Sequence, residues 1–226
     1  MNPEEIQFEE TIKFYKDKEF ELDHFLVGVE HFFRKNPRLN KKPFPIIHSI
    51  KSRFKDPEHL RDKLERKREK GIIVTEDNLF EEINDLIGVR VLHLYQDQFH
   101  LIHNEILEKI NSGDWKFVEP PKAYSWDPET KSLYDKLKIE TEIRETYYTS
   151  VHYVIKPNNE NRVCCELQIR TLFEEIWGEI DHSINYPYET ENLACREQLR
   201  VLSKLVSTGT RLADSIFRTF NDEKGS

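Results

Sequence analysis

Two runs, TSVHYVIK (149–156) and RVCCELQIR (162–170), flank the polar stretch PNNEN. Both are rich in residues that favour extended backbone, and Pro and Asn between them supply turn chemistry, so the segment reads as a β-hairpin. In the second run Val163, Cys165, Leu167 and Ile169 alternate with Cys164, Glu166, Gln168 and Arg170. Successive side chains of an extended chain point to opposite faces. One face of this strand is therefore apolar and must be covered, which commits the chain to a sheet with helices or a second layer on it. The other face lines up a thiol, a carboxylate, an amide and a guanidinium.

The remaining pattern fills in that architecture. GVRVLHLY (88–95) reads as a buried strand, and FPIIHSIKSRF (44–54) as a shorter one. Residues 5–35 carry Phe14, Phe20, Phe25, Val29, Phe32 and Phe33 at helical spacing until Pro37. DPEHLRDKLERKREKG has the chemistry of a helix start and stop, with Asp56 as cap, Pro57 in the first turn and Gly71 at the end. FHLIHNEILEKI (99–110) is an amphipathic helix with Phe99, Ile102, Ile106 and Ile110 inward. Residues 111–140, holding Gly113, Pro120, Pro121 and Pro128, read as a long loop with one helical turn. Two helices, 171–186 and 192–220, finish the chain. The expectation is one α+β domain over 1–226, a mixed β-sheet with helices packed on it. Its core spans 44–187, flanked by the N-terminal helix region 5–35 and the C-terminal helices 192–220.

Composition narrows the functional classes. Charged residues make up 34% of the chain, but 14 Phe, 9 Tyr and 3 Trp supply enough burial for a folded domain. A net charge of -8 argues against a broad grip on duplex nucleic acid and leaves room for a local phosphate pocket. Cys164 and Cys165 are strand neighbours facing opposite ways, so they do not bridge; with Cys195 they fit no zinc spacing and suit a reduced, cytoplasmic setting. MNPEEIQFEE lacks the basic start and apolar run of a signal peptide, and no stretch is long and apolar enough to span a bilayer, so no membrane partner is expected. No G-x-x-x-x-G-K run is present, and no strained G-x-S-x-G elbow surrounds Ser150 to make it a nucleophile with His152.

Four clusters carry chemistry, each with a bland reading beside it. Arg53, Lys55, Arg61, Lys63, Arg66, Lys67 and Arg68 suit a polyphosphate, or form a solvated helix face, since Glu58, Asp62, Glu65 and Glu69 are interleaved. Asp85, just ahead of the strand that holds Arg90, suits Mg²⁺, which takes one or two carboxylates plus phosphate oxygens; it equally suits a helix end. Tyr148, Ser150 and His152 alternate onto one face, fit for stacking a nucleobase or for ordinary cross-strand packing. Glu166 and Arg170 precede a helix carrying Glu175, Glu179, Asp181 and His182. Glu166 is a metal ligand or hydroxyl base if a cleft lies there, and otherwise part of a wet face.

The order of these pieces, SRFKDPEHLRDK, DLIGVRV, YYTSVH and ELQIRT, resembles the synthetase domain of the RelA/SpoT family, most closely its small single-domain alarmone synthetases. The resemblance covers roughly 44–187 and implies a nucleotidyltransferase-like fold. It also implies transfer of the β,γ-diphosphate of ATP to the ribose 3′-hydroxyl of GDP or GTP, with Mg²⁺ and with AMP as leaving group. By position, Arg53 and Arg90 would clamp the adenine of ATP, with Lys55, Lys63 and Arg66 on its phosphates. Asp85 and Glu166 would be the magnesium carboxylates, and Glu166 the group that activates the hydroxyl. Arg144, Tyr148 and His152 would serve the acceptor, Tyr148 by stacking, with Gln168, Arg170 and His182 in support. The chain departs from the family at Tyr147 (commonly Gly), His59 (commonly Ser) and Pro187 (commonly Lys, after Tyr186). Tyr147 restricts the backbone and adds bulk beside the acceptor. A second reading keeps the chemistry in a toxin-type relative that uses adenine nucleotides or the tRNA 3′ end, drawing on Lys116, Lys122, Lys131, Lys136 and Lys138. A third is an inactive nucleotide-binding regulator. Relatives of this size also form homo-oligomers through helices outside the sheet.

Overall fold

Six strands pair in the order β1-β2-β6-β5-β3-β4, where β1 is Ile47–Phe54, β2 Ile87–His93, β3 Trp115–Ser125, β4 Glu140–Ile143, β5 Ser150–Pro157 and β6 Cys165–Thr171. The sheet is mixed: β2 runs parallel to β6 and β3 to β4, and the other pairs are antiparallel. These features come from a computed structural model that describes residues 3–160, 162–185 and 188–225.

Register sorts the side chains into two faces. Ile50, Val91, Ile169, Val151 and Ala123 pair in one row across five strands. The next row, pointing the opposite way, is Lys51, Arg90, Gln168, His152 and Lys122. A one-residue slip would exchange the rows, so burial of the apolar row pins the register. Helices α1 (Pro3–Asp17), α2 (Glu19–Lys35), α3 (Pro57–Glu69) and α5 (Phe99–Asn111) join that row in one core through Ile12, Leu22, Phe33, Leu60 and Ile106. Each such fully buried side chain stabilises the fold by about 1.5–3 kcal/mol. Val163, Cys165, Leu167 and Ile169 are all buried, as the alternation requires. The polar face is roofed by α7 (Leu172–Asn185), whose Trp177 Nε1 donates to the Leu199 carbonyl of α8 (Leu193–Gly225) at 3.1 Å.

The expected hairpin is present as β5–β6, and α3 starts and stops as read: Asp56 accepts from the Glu58 amide at 2.8 Å, and Gly71 has φ +80°. Two expectations need correction. The helix over 5–35 is two helices parted at Lys18. Residues 111–140 are no loop: they hold β3, α6 (Pro128–Lys136) and the start of β4. Pro120 and Pro121 fall where the β3–β5 register shifts between Glu119 and Lys122, a place where a strand tolerates residues without an N–H. Pro128 starts α6 behind the cap Asp127, which accepts from the Glu129 amide at 3.0 Å. A four-residue helix, α4 (Leu79–Glu82), precedes β2. Tyr186, Pro187 and the turn residue Asn161 lie outside the described residues. All three cysteines are free thiols. No described helix is long and apolar enough to cross a membrane.

Candidate active site

The polar row lies under α7, and its charges are cross-linked to that helix. Arg90 donates to both oxygens of Glu175, at 2.9 and 3.0 Å, and to Glu179 at 2.8 Å. Lys51 reaches the same Glu175 at 2.7 Å. Glu175 is buried and would be raised by that burial, but Lys51, Arg90 and Arg170 hold its carboxyl below the usual range. α7 is thus tied to the sheet through charge.

Along β6 the side chains form one hydrogen-bonded chain. Arg170, 4% exposed, donates through Nη2 to the Tyr148 hydroxyl at 2.8 Å and to Gln168 Oε1 at 2.7 Å. Its guanidinium also lies 5.2 Å from the Tyr148 ring centre, in cation–π range. With its oxygen accepting from Arg170, Tyr148 has its own proton for His152 Nε2, 2.9 Å away. That assigns the histidine tautomer: Nδ1 carries the hydrogen and donates to Glu166 Oε1 at 3.1 Å. Gln168 Nε2 donates to the other oxygen, Oε2, at 2.9 Å. Burial pushes the Glu166 carboxyl up, but these donors outweigh it and leave it below the ordinary glutamate range, ionised at neutral pH. The charge of Asp85 acts on it in the opposite sense, so the two carboxylates lie within electrostatic reach of each other.

Asp85 stands at the entrance of β2 and is gripped by two ammonium groups, Lys55 Nζ at 2.8 Å and Lys63 Nζ at 2.7 Å. Burial would raise this acid; Lys63 and Lys55 overcome it and hold the carboxyl at about 2. Lys55 is itself buried, and loss of water, with the neighbouring charges of Lys63 and Arg53, lowers its pKa against the opposing pull of Asp85. Arg66 is exposed and donates to the Asp62 carbonyl of its own helix at 3.1 Å. Among the described residues, no group of three or more His, Cys, Asp and Glu side chains is arranged to hold a metal ion.

Two cavities open under α7 and share Glu166 and Tyr148. One, of about 640 Å³, is lined by Arg53, Arg90, Gln168, Arg170, His59 and His182 among others. The second, of about 700 Å³, is lined by Arg144, Tyr147, His152, Tyr124, Trp177 and others. Arg53 stands opposite Gly88 in the register and brings Nη2 to 4.0 Å from Glu166. Arg144 lies over the Tyr124 ring at 4.5 Å and pairs with Glu142 at 2.9 Å.

The expected residues therefore sort spatially. Arg53 and Arg90 share the first cavity; Arg144 and His152 share the second, with Tyr148 and Glu166 common to both. Gln168, Arg170 and His182, expected beside the acceptor, line the Arg53–Arg90 cavity. Lys55, Lys63 and Asp85 form their own cluster at the neighbouring end of β2. Lys51 and Tyr124 were not foreseen. Lys51 shows in the alternation of KSRF, whereas Tyr124 was hidden by reading its strand as loop. Of the lysines considered for tRNA, Lys122 is paired with Glu142 at 3.0 Å and Lys131 with Asp135 at 2.7 Å.

A family model described as the region found in RelA / SpoT proteins matches residues 52–191. GTP pyrophosphokinase YjbM of Bacillus subtilis (strain 168) is 26% identical over 158 residues, 68% of this chain and 64% of its own length. The chain thus aligns with just under two thirds of that relative. A GTP pyrophosphokinase family protein from Streptococcus pneumoniae superposes with a TM-score of 0.67 at 20% identity, over 95% of each chain. Small alarmone synthetase 1 from Bacillus subtilis, bound to its product pppGpp, superposes at 0.64 and 20% identity, over 91% of this chain and 93% of the other. The sheet and its helices are the fold of these synthetases.

Proposed function

The chain belongs to the RelA/SpoT family, and from that premise we propose that it is an ATP-dependent pyrophosphokinase. It moves the β,γ-diphosphate of ATP to the ribose 3′-hydroxyl of GDP or GTP and releases AMP. The observation that carries this reading is the position of Glu166 on the wall shared by two nucleotide-sized cavities. A pyrophosphoryl transfer needs donor and acceptor on either side of one base, with little covalent work for the protein beyond placing them.

ATP occupies the Arg53–Arg90 cavity, where planar guanidinium groups stack on adenine. Its phosphates run toward Lys55, Lys63 and Arg66, which exchange carboxylate and solvent for phosphate oxygens. The acceptor lies in the second cavity with its base on Tyr148 and its phosphates toward Arg144. Glu189 lines that cavity and not the ATP one, whereas Asp181 lines both. A carboxylate such as Glu189 accepts from the adjacent N–H donors on a guanine edge and repels the N1 lone pair of adenine, which favours GDP or GTP. Glu166, ionised and positioned by His152 and Gln168, accepts the proton of the 3′-hydroxyl.

Mg²⁺ fits the donor set. Asp85 and Glu166 are hard oxygen ligands in mutual electrostatic reach, and this ion needs one or two such groups when phosphate oxygens complete its shell. When bound, it neutralises charge that builds on the transferring phosphates. Three free thiols suit a reducing, cytoplasmic compartment. Val201, Leu205, Leu212 and Ile216 are exposed along α8, a stripe that suits a homo-oligomer; sedimentation of the wild type against a Leu205→Glu/Leu212→Glu variant tests it.

The activity test incubates the protein with Mg²⁺ and ATP labelled in its terminal phosphates, offering GDP, GTP, ADP, ATP and tRNA separately. Label on GDP or GTP, with matching AMP, is the expected result. Label on an adenine nucleotide or on tRNA moves the chain to the toxin-type reading, and nucleotide binding without AMP makes it a silent regulator.

A further inference from the structure

Tyr147 is one of two non-glycine residues with a left-handed backbone among those described, at φ +64°. A bulky side chain rarely adopts this conformation, and strain of this kind persists where surrounding contacts hold it. Two contacts do so here. The Tyr147 amide closes a turn on the Arg144 carbonyl at 3.3 Å. Its ring packs edge-on against Trp126, with centres 5.3 Å apart and planes at 73°.

The ring also has a place in the cavities. Behind the acceptor cavity lies a smaller one of about 220 Å³, lined by Trp126, Glu174 and residues of α6 and α8. Tyr147 and Trp177 line both, so the two cavities meet at these residues. The left-handed turn immediately precedes Tyr148 and sets the direction in which that ring leaves the backbone.

We infer that Tyr147 is the specificity-determining residue of the acceptor cavity: its ring closes the inner end and thereby selects the acceptor base, while its backbone positions Tyr148. This rests on the two-cavity reading of the reaction. Without the ring, the acceptor cavity joins the smaller one behind it, and a base loses the wall that fixes its depth on Tyr148. Discrimination between bases then falls even where binding survives, because specificity is a difference of affinities and needs the unfavourable fit as well as the favourable one.

Three variants separate ring from backbone. Tyr147→Gly removes the ring and keeps the left-handed turn at no steric cost. Tyr147→Phe keeps both. Tyr147→Ala keeps the strain and loses the packing that holds it. The measurements are kcat and KM with GDP and with ADP, KM for ATP, and equilibrium dialysis of GDP and ADP, after melting curves establish that each variant is folded. Tyr147→Gly brings the GDP:ADP ratio of kcat/KM tenfold or more closer to one with ATP KM unchanged, and Tyr147→Phe stays within about twofold of wild type. Tyr147→Ala raises the acceptor KM for both nucleotides and spares the ATP KM. An unchanged ratio in Tyr147→Gly, or an ATP KM that moves with it, overturns the inference and leaves the enzyme reading standing. If the wild type transfers to neither nucleotide, that reading fails, and dialysis decides alone: a GDP:ADP affinity ratio equal in wild type and Tyr147→Gly, or no binding of either, overturns the inference as well.

Discussion

Glu166 and Asp85 are both carboxylates at the sheet's polar face, yet their removal has different consequences because their partners differ. Glu166 accepts from neutral or tautomerically adaptable groups, His152 and Gln168. In Glu166→Gln the new amide can rotate to keep an oxygen toward one donor, so the melting temperature stays within a few degrees while transfer is abolished. Retained turnover would remove Glu166 from the chemistry. Asp85 instead compensates two cations, one of them buried. Asp85→Asn leaves Lys55 uncompensated, the situation in which removing one member of a buried pair is costly. The sign with pH follows from its carboxyl at about 2. An acid whose pKa is lower folded than unfolded stabilises the fold above its unfolded value near 4, and that contribution is lost as pH falls through about 2. The full shift corresponds to roughly 2 kcal/mol, but burial disfavours the Lys55 ammonium, so the net loss in Asp85→Asn at pH 7 should be nearer 1–2 kcal/mol. Chemical denaturation of the two variants side by side tests the contrast; equal destabilisation would refute it.

At the scale of elements, α7 is the part that converts a sheet face into a site, and its fit depends on one missing side chain. A Cβ on Gly178 would stand 2.8 Å from Arg170 Nη1. Arg170 has little freedom to retreat, being buried and bonded to Tyr148 and Gln168, with Glu175 3.4 Å away. Gly178→Ala should therefore displace the guanidinium from Tyr148. Helix propensity favours alanine by up to about 1 kcal/mol, so stability changes little while the acceptor KM rises severalfold through Tyr148 and the ATP KM, whose cavity Gly178 and Arg170 line, rises by less. Steady-state kinetics with each substrate varied in turn decides it; equal rises in both KM values would place the effect on α7 docking as a whole. Elements also show where the sequence was legible. The β5–β6 hairpin was readable because the alternation of the β6 run is unbroken and PNNEN supplies the turn, and Asp56-Pro57 marks α3 by capping chemistry that acts locally. β3 was not, because Pro120-Pro121 interrupts the pattern at the bulge and the strand is specified by its partners β4 and β5. The pairing of Arg90 with Glu175 and Glu179 was equally hidden: it depends on how α7 crosses the sheet, which no local spacing encodes.

For the molecule as a whole, two groups that line neither nucleotide cavity, buried His93 and half-buried Glu174, oppose each other in their response to pH. His93 lies fully inside, and burial pushes its pKa down to about 4, its bond to the Tyr95 carbonyl only partly offsetting this. A base with a depressed folded value costs stability as pH falls from its unfolded value near 6.5 toward 4. Glu174 does the reverse. Burial raises its carboxyl to about 7, against the Thr171 amide that donates to it at 2.6 Å, and Asp214 adds to the rise. An acid with a raised folded value loses stability as pH climbs from its unfolded value near 4.5 to about 7. Between roughly pH 4.5 and 6.5 the folded chain gains one proton at Glu174 and lacks one at His93 relative to the unfolded chain, so the two slopes cancel. Glu174→Gln should uncover the hidden one. The amide can still accept from Thr171, and above pH 7 the variant is more stable than wild type by about 1–3 kcal/mol, nearer the lower figure because Glu174 reaches the small cavity beneath Tyr147. That advantage shrinks as pH falls and vanishes below about 4.5, while the stability of the variant declines by up to ~1.4 kcal/mol per pH unit between 6.5 and 4. Urea unfolding at half-unit steps from pH 4 to 8 reads both effects. A variant whose profile runs parallel to wild type would show that Glu174 is already ionised at pH 5 and that its place against Asp214 carries no proton.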